Sequence, residues 1–311
     1  MRILLTGANG FVGIEATRQL REHHEVLALD VLRYCPWRIE GGGSVELLKV
    51  DLRDREATHA AIARFKPEAI IHLAAIHFIP ECEQKPDEAV SINVEATVNL
   101  LSACPPGCRF VFASTAAVYA PSEVPHHETR STIGPMDVYG YTKLWGEDMV
   151  RYYAAKGGFE AVVVRLFNVV GPGETNPHLV PDILKQLKRG TRTLQLGNTT
   201  PKRDYIHVAD AAAGFIAAGT RPVPHGGGVT TANLGTGREY SVDEVVATIS
   251  EVIGDTVTIE VDPARVRKSD RPHLCADNGQ MSTLFGWSAQ HDLASSMRAT
   301  WDDPRMLEQL L

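Results

Sequence analysis

Two residues one helical turn apart, Tyr139 and Lys143 in Tyr139-Gly140-Tyr141-Thr142-Lys143, have the types and spacing to move a proton. A phenol with its ordinary pKa near 10 is a poor base, but an adjacent ammonium favours the phenolate. Bringing it to about 7 takes roughly 4 kcal/mol, which two nearby positive charges in a dry cleft can supply. The same spacing opens many ordinary amphipathic helices, so the pair needs company. Phe110-Val111-Phe112-Ala113 reads as a strand running into Ser114 and Thr115. A hydroxyl at that strand end can bond a reacting oxygen and share its proton with Tyr139. His72, in the apolar run Ile70-Ile71-His72-Leu73-Ala74-Ala75, reads as structural, because its strand position points it into the fold.

The elements that must position these groups begin at the first residues. Ile3-Leu4-Leu5 is short and apolar, as a buried parallel strand is, and leads into Thr6-Gly7-Ala8-Asn9-Gly10-Phe11-Val12-Gly13. Glycines let a strand turn sharply into a helix and let backbone approach a ligand, while free N–H groups at the helix start attract a pyrophosphate. The spacing G-x-x-G-x-x-G differs from G-x-G-x-x-G, and a tight turn alone would also use glycine. Context argues for a dinucleotide. A second strand, Val26-Leu27-Ala28-Leu29, ends in Asp30, whose carboxylate suits ribose hydroxyls and repels a 2′-phosphate, so NAD is expected over NADP. Arg33, three residues on, weighs the other way. Asp51 follows a third strand and could reach the adenine edge; Asp54 reads as a helix N-cap.

Strands are expected at 2–5, 25–30, 45–50, 69–73, 109–113 and 161–166, with helices at 11–22, 54–65, 87–103 and 139–156. This alternation predicts an α/β fold, a doubly wound parallel sheet of Rossmann type. Beyond 170 the pattern loosens into a helix at 177–189, a strand at 193–196, a helix at 208–219, a strand at 231–234, a helix at 241–252, a strand at 256–261 and a short terminal helix. The division predicted is a dinucleotide-binding domain, 1–170 with a return segment at about 205–236. A smaller discontinuous α/β substrate domain takes 171–204 and 237–311, with a cleft between them. The loop from Cys35 to Gly43 is glycine-rich and expected to be mobile.

Bulk properties exclude several classes. The chain has 311 residues, 44% of them apolar, enough for roughly one and a half to two domains. A net charge of −7 argues against a nucleic-acid or anionic-membrane partner, so an anionic substrate must be held by a few local arginines. No apolar stretch reaches membrane-spanning length, and Met1-Arg2-Ile3 leaves no room for a signal peptide. Five cysteines, odd in number and without a C-x-x-C pair, read as reduced thiols of a cytoplasmic protein. Twelve histidines include no H-E-x-x-H; no metal is expected, and His23-His24 and His126-His127 read as surface or loop residues.

Together these segments resemble the extended short-chain dehydrogenase/reductases, the NAD-dependent nucleotide-sugar epimerase/dehydratase family. The resemblance runs in order from residue 1 to about 287. It is carried by the glycine loop, Asp51-Leu52, His72-Leu73-Ala74-Ala75, Asn93-x-x-x-Thr97, Ser114-Thr115, Tyr139-x-x-x-Lys143 and Arg165-Leu166-Phe167-Asn168-Val169-Val170-Gly171-Pro172. Arg203-Asp204-Tyr205-Ile206-His207-Val208-x-Asp210 and Asn233-Leu234-Gly235-Thr236-Gly237 add to it. It implies bound NAD, held by Gly7, Asn9, Gly10, Phe11, Val12, Gly13, Asp30, Asp51, Leu52, Leu73, Ala74, Ala75, Asn93, Ser114, Tyr139, Lys143 and Leu166. It also implies Tyr139 as general base, Lys143 on the nicotinamide ribose and Thr115 beside the reacting hydroxyl. Phe167 and Asn168 would meet sugar and diphosphate, and His178, Leu179, Gln195, Arg203 and Arg271 would line the nucleotide-diphosphate pocket. His77, where the family reads the sugar face, would touch substrate. The arginines suit a diphosphate on chemical grounds as well, as forked permanent cations.

The chain departs from relatives where chemistries diverge. Dehydratases of the family carry an acidic pair after the catalytic threonine; here Ala116 and Ala117 stand there, and a methyl group can neither remove a C5 proton nor expel a hydroxyl. Arg271-Pro272-His273-Leu274 has His and Leu where many relatives have Gly-Asp. Thr115, Tyr139 and Lys143 suffice for reversible oxidation at C4, hence for 4-epimerisation through a transient 4-keto sugar, or for 4-keto-6-deoxy-sugar reduction with NAD(P)H. A non-catalytic dinucleotide sensor or scaffold is a rival of another class. Apolar residues on helices 87–103 and 139–156 (Val90, Val94, Val98, Leu101, Leu144, Met149, Tyr152) suggest a homodimer.

Overall fold

The computed structural model describes residues 1–174, 176–223, 228–266 and 271–304. Seven strands form one parallel sheet in the order β3-β2-β1-β4-β5-β6-β10: β1 Arg2–Thr6, β2 Glu25–Asp30, β3 Val45–Lys49, β4 Ala69–His72, β5 Arg109–Thr115, β6 Glu160–Leu166 and β10 Val229–Leu234. The five inner strands are near-continuous buried runs, as strands covered on both faces must be. One apolar cluster packs Ile3, Leu5, Val111, Val164 and Phe215 on one face; another packs Leu4, Leu27, Ile70, Phe110 and Val163 on the other.

Helices α1 Phe11–Leu20, α2 Arg55–Phe65, α3 Ile79–Gln84, α4 Pro86–Val90, α5 Ala96–Ala103 and α6 Val138–Gly157 belong to the first half of the chain. The helix expected at 87–103 is in two parts, because a π-helical turn, Ser91–Glu95, lies between α4 and α5. Such turns gather at functional sites, and this one presents Asn93. Strand order reverses between β1 and β4, and there an open parallel sheet leaves a crevice at its carboxyl ends.

The remaining chain builds smaller pieces. Strands β7 Asn168–Val170, β9 Lys202–His207 and β11 Glu239–Ser241 make a three-stranded sheet, and β8 Thr193–Leu196 pairs with β12 Thr258–Val261. Helices α7 Leu179–Lys188, α9 Val242–Ile253 and α11 Leu293–Asp302 bury Ile183, Leu184, Val245, Ile249 and Met297 in their own cluster. Helices α8 Val208–Thr220 and α10 Gly279–Phe285 pack back on the main sheet, which β10 joins beside β6. Strands β7, β9 and β11 went unforeseen: three to six residues with mixed polarity carry little periodic signal. Among the described residues no helix is long and apolar enough to cross a membrane.

Candidate active site

The glycine loop closes as its residue types demand. Gly7 has φ +66°, and a Cβ there would stand 2.7 Å from the backbone nitrogen of Ala74. A Cβ on Gly13 would reach 2.1 Å from the Gly7 carbonyl oxygen. Side chains at either place would push α1 off the sheet, so β1, α1 and the Leu73-Ala74-Ala75 segment meet backbone to backbone. Among the described residues no side chain caps α1 at Gly10, which leaves its first N–H groups for an anion. Asp30 ends β2 alongside, accepting from the backbone N–H of Asn9 at 3.0 Å and of Leu32 at 2.8 Å. Arg33 is turned away to Glu88 and Glu81, at 2.7 and 3.0 Å, which removes it as a 2′-phosphate ligand. The crevice therefore fits an NAD pyrophosphate and adenosine ribose. The start of the 35–43 loop is tied to the glycine turn: the Asn9 amide donates to the Pro36 carbonyl at 2.9 Å and its oxygen accepts from the Arg38 N–H at 2.7 Å. At the adenine end, Arg53 chelates Asp51 at 2.6 Å and holds its carboxyl below the usual range, and Leu52 is buried.

Thr115 is the last residue of β5 and Tyr139 the second of α6, whose N-cap Asp137 accepts from the Gly140 N–H at 2.7 Å. Thr115 Oγ1 accepts from the Ala117 N–H at 3.2 Å, and its hydroxyl favours the Tyr139 phenolate. One turn on, Lys143 is 3% exposed; its Nζ donates to the Ala113 carbonyl at 2.8 Å and lies 6.0 Å from the Tyr139 ring centre. The three groups converge from separate elements. Burial dominates their electrostatics: it drives the phenol above its ordinary range, against the lowering influence of Thr115, and pushes the ammonium down to about 7. The protein alone thus biases both groups towards neutrality, whereas sequence reasoning has the lysine lowering the tyrosine.

A buried network anchors this helix. Glu147, one turn beyond Lys143, accepts from Ser114 Oγ at 2.6 Å and from Arg165 Nε and Nη2 at 2.8 and 2.7 Å. Arg165 Nη1 also donates to the Tyr119 hydroxyl at 3.0 Å, and that hydroxyl donates to Asn233. The Ser114 side chain thus serves α6 rather than the crevice, a difference from its expected cofactor contact. The same holds for Asn93, which takes both backbone groups of Ile76 at 2.8 and 2.9 Å and donates to Thr142 at 3.0 Å. It shapes the loop to His77 instead of reaching outward. His72 is locked between Thr6 at 2.7 Å and Thr97 at 2.8 Å, and burial lowers its pKa to about 3.

The substrate-facing residues divide. Phe167 is buried against Tyr119, Leu274 and Ala276, and Asn168 is exposed at the start of β7. Leu166, closing β6, is partly buried against the main core. Arg203 donates to the Arg271 carbonyl at 2.7 Å and Arg271 to the Ala117 carbonyl at 3.0 Å, so both arginines stand beside the segment that follows Thr115. Gln195 is tied to Glu260 at 2.7 Å, and Leu179 packs into the outlying core. His77 and His178 face each other with ring centres 6.2 Å apart. His126 corrects its expected surface position: it is 1% exposed, stacked on Tyr119 at 4.5 Å, with burial lowering its pKa to about 4. Cys82, fully buried in α3, packs in the cluster that holds Tyr139, and no sequence signal marked it.

Residues 3–235 match the family described as NAD dependent epimerase/dehydratase. The chain belongs to that family. It is 32% identical over 99% of its length to the UDP-glucose 4-epimerase of Azospirillum brasilense, covering 93% of that protein. It is 25% identical, over 97% of its length and 96% of the relative's, to the GDP-6-deoxy-D-mannose reductase of Pseudomonas aeruginosa. A UDP-glucose 4-epimerase from Stenotrophomonas maltophila, solved with NAD and formylated UDP-arabinopyranose, superposes with a TM-score of 0.87 at 27% identity over the whole of both chains.

Proposed function

We propose that this protein is a nucleotide-sugar 4-epimerase working with tightly bound NAD, and that its substrate is a UDP-hexose. The observation that carries the reading is the meeting of Thr115, Tyr139 and Lys143 at the carboxyl end of β5, beside a dinucleotide crevice, with the methyl groups of Ala116 and Ala117 next in the chain. Bound NAD supplies the hydride acceptor and a ring cation that favours the Tyr139 phenolate. Tyr139 takes the proton from the C4 hydroxyl and returns it after the sugar has turned. Thr115 bonds the same oxygen and steadies it in both directions. Lys143, held by Ala113, adds positive charge near the phenol and orients the ribose. Arg203 and Arg271 supply charge for the diphosphate, and residues 171–204 with 237–311 form the substrate lobe.

Turnover of a UDP-hexose with only catalytic NAD supports this reading, and Tyr139→Phe should lower kcat by about 10²–10⁴-fold. A requirement for stoichiometric NAD(P)H would instead establish a 4-keto-sugar reductase, the activity named for the Pseudomonas relative. The five unpaired cysteines favour a cytoplasmic setting. A homodimer is proposed through α4 and α6, where Val90, Tyr141, Trp145 and Tyr152 are exposed. Leu101 is buried, and Leu144 and Met149 pack inward, so the face differs from the one read in the sequence. Light scattering at the mass of one chain would exclude the dimer.

A further inference from the structure

The loop leaving β2 carries an arginine whose partners lie outside the crevice. Asp30 Oδ1 accepts the Leu32 N–H at 2.8 Å and holds Leu32 at φ +55°, a left-handed turn that costs a residue with a side chain. Arg33 leaves this turn towards the helices that follow β4. Its Nη1 and Nη2 donate to the two carboxylate oxygens of Glu88, on α4, at 2.7 and 3.0 Å. Nη2 also donates to Glu81, on α3, at 3.0 Å, and the Tyr34 hydroxyl donates to the same carboxylate at 3.1 Å. The side chains of Arg33, Glu81 and Glu88 are 24, 24 and 27% exposed, so this is a sheltered, forked network and not a pair of solvated surface charges.

A 2′-phosphate on the adenosine ribose would bring about two negative charges to the end of β2, where Asp30 already stands. Holding it there takes a free, forked cation. Two arginines of this end are engaged within the crevice itself: Arg38 donates to the Asn9 carbonyl at 2.8 Å and Arg53 to Asp51 at 2.6 Å. Arg33 differs from both. It sits three residues beyond Asp30, on the same loop, and it is engaged by acids of α3 and α4 that have no part in holding the cofactor. Those two carboxylates cancel its charge, and they would repel any phosphate brought up to it. With their charge removed, a guanidinium becomes available on the loop that carries the ribose carboxylate.

We propose that Glu81 and Glu88 are specificity-determining residues: by holding Arg33 they keep a latent 2′-phosphate site closed, so the choice of NAD over NADP is made by α3 and α4 as well as by Asp30. The proposal concerns the cofactor alone and stands or falls apart from the sugar reaction.

The test is cofactor exchange at equilibrium. Full-length protein carrying NAD is incubated with NADP, and the nucleotides it retains are counted by chromatography, which gives the ratio of the two Kd values without any turnover. Wild type should retain NAD. Glu81→Gln combined with Glu88→Gln should cut the preference about tenfold, the worth of one charged hydrogen bond. Adding Arg33→Met to that pair should restore it, because the gain for NADP needs the guanidinium. If the double variant does not fold, Glu88→Gln with and without Arg33→Met carries the test, with a smaller change in the same directions. A preference unchanged in the glutamine variants overturns the proposal. So does a loss that Arg33→Met fails to reverse, which would come from removing negative charge alone, and so does a wild type that takes NADP as readily as NAD. Failure to turn over a UDP-hexose would remove the epimerase reading and leave these ratios untouched.

Discussion

Lys143 shows at the scale of one residue how function is kept against stability. Its folded pKa of about 7 lies below its ordinary 10.5, so the folded state binds this proton less readily than the unfolded chain does. Stability from this group is therefore lowest at and below pH 7 and recovers as pH rises towards 10.5. Lys143→Met removes that cost while losing the bond to Ala113. The cofactor-free variant should gain on the order of 1–3 kcal/mol at pH 7, the gain shrinking towards pH 10, while kcat falls by at least about 10²-fold. Thermal unfolding at the two pH values, with an activity assay, checks both halves. A variant less stable than wild type at pH 7 would show that the Ala113 bond outweighs the desolvation.

Helix α6 is the element on which the site depends. Tyr139, Lys143 and Glu147 fall on one face at four-residue steps, and the last two are fastened to the end of β5, to the Ala113 carbonyl and to Ser114. Glu147 is fully buried, and Glu147→Ala would leave Arg165, 3% exposed, as an unpaired buried charge. Such a loss costs about 3–5 kcal/mol. Urea unfolding should register it, and a simultaneous Arg165→Met should recover much of it. A double variant no more stable than the single one would mean that Arg165 relaxes to water. The first two members of this pattern were legible as Tyr-x-x-x-Lys. Glu147 was not, because nothing in its spacing tells a buried ion-pair partner from a solvated helix charge.

Two buried imidazoles couple the whole molecule to pH. His72 joins β1, β4 and α5, and His126 lies stacked on Tyr119. Their folded pKa values of about 3 and 4 lie below the ordinary 6.5, so each is held neutral by desolvation. Groups of this sign contribute fully above about pH 6.5 and withdraw support as pH falls through the window down to 3 or 4. Stability should drop steeply over that interval, by up to about 1.4 kcal/mol per pH unit for each histidine. His72→Gln should flatten the slope, measured as Tm against pH. An unchanged slope would assign the acid sensitivity to other groups.

Local spacing was enough to establish the parallel sheet, the glycine turn, Asp30 at the end of β2 and the pairing of Tyr139 with Lys143. Each of these depends on residues a few positions apart or on strand–helix alternation, which the chain states directly. What only the folded molecule decided were contacts between distant segments. Ser114 turned to Glu147, Asn93 to Ile76, Arg33 to Glu81 and Glu88, His126 under Tyr119, and Glu174 onto His178 within reach of His77. A polar side chain in a sequence is free to bond in many directions. Which one it takes is set by the desolvation it suffers and by the partners that packing brings within about 3 Å.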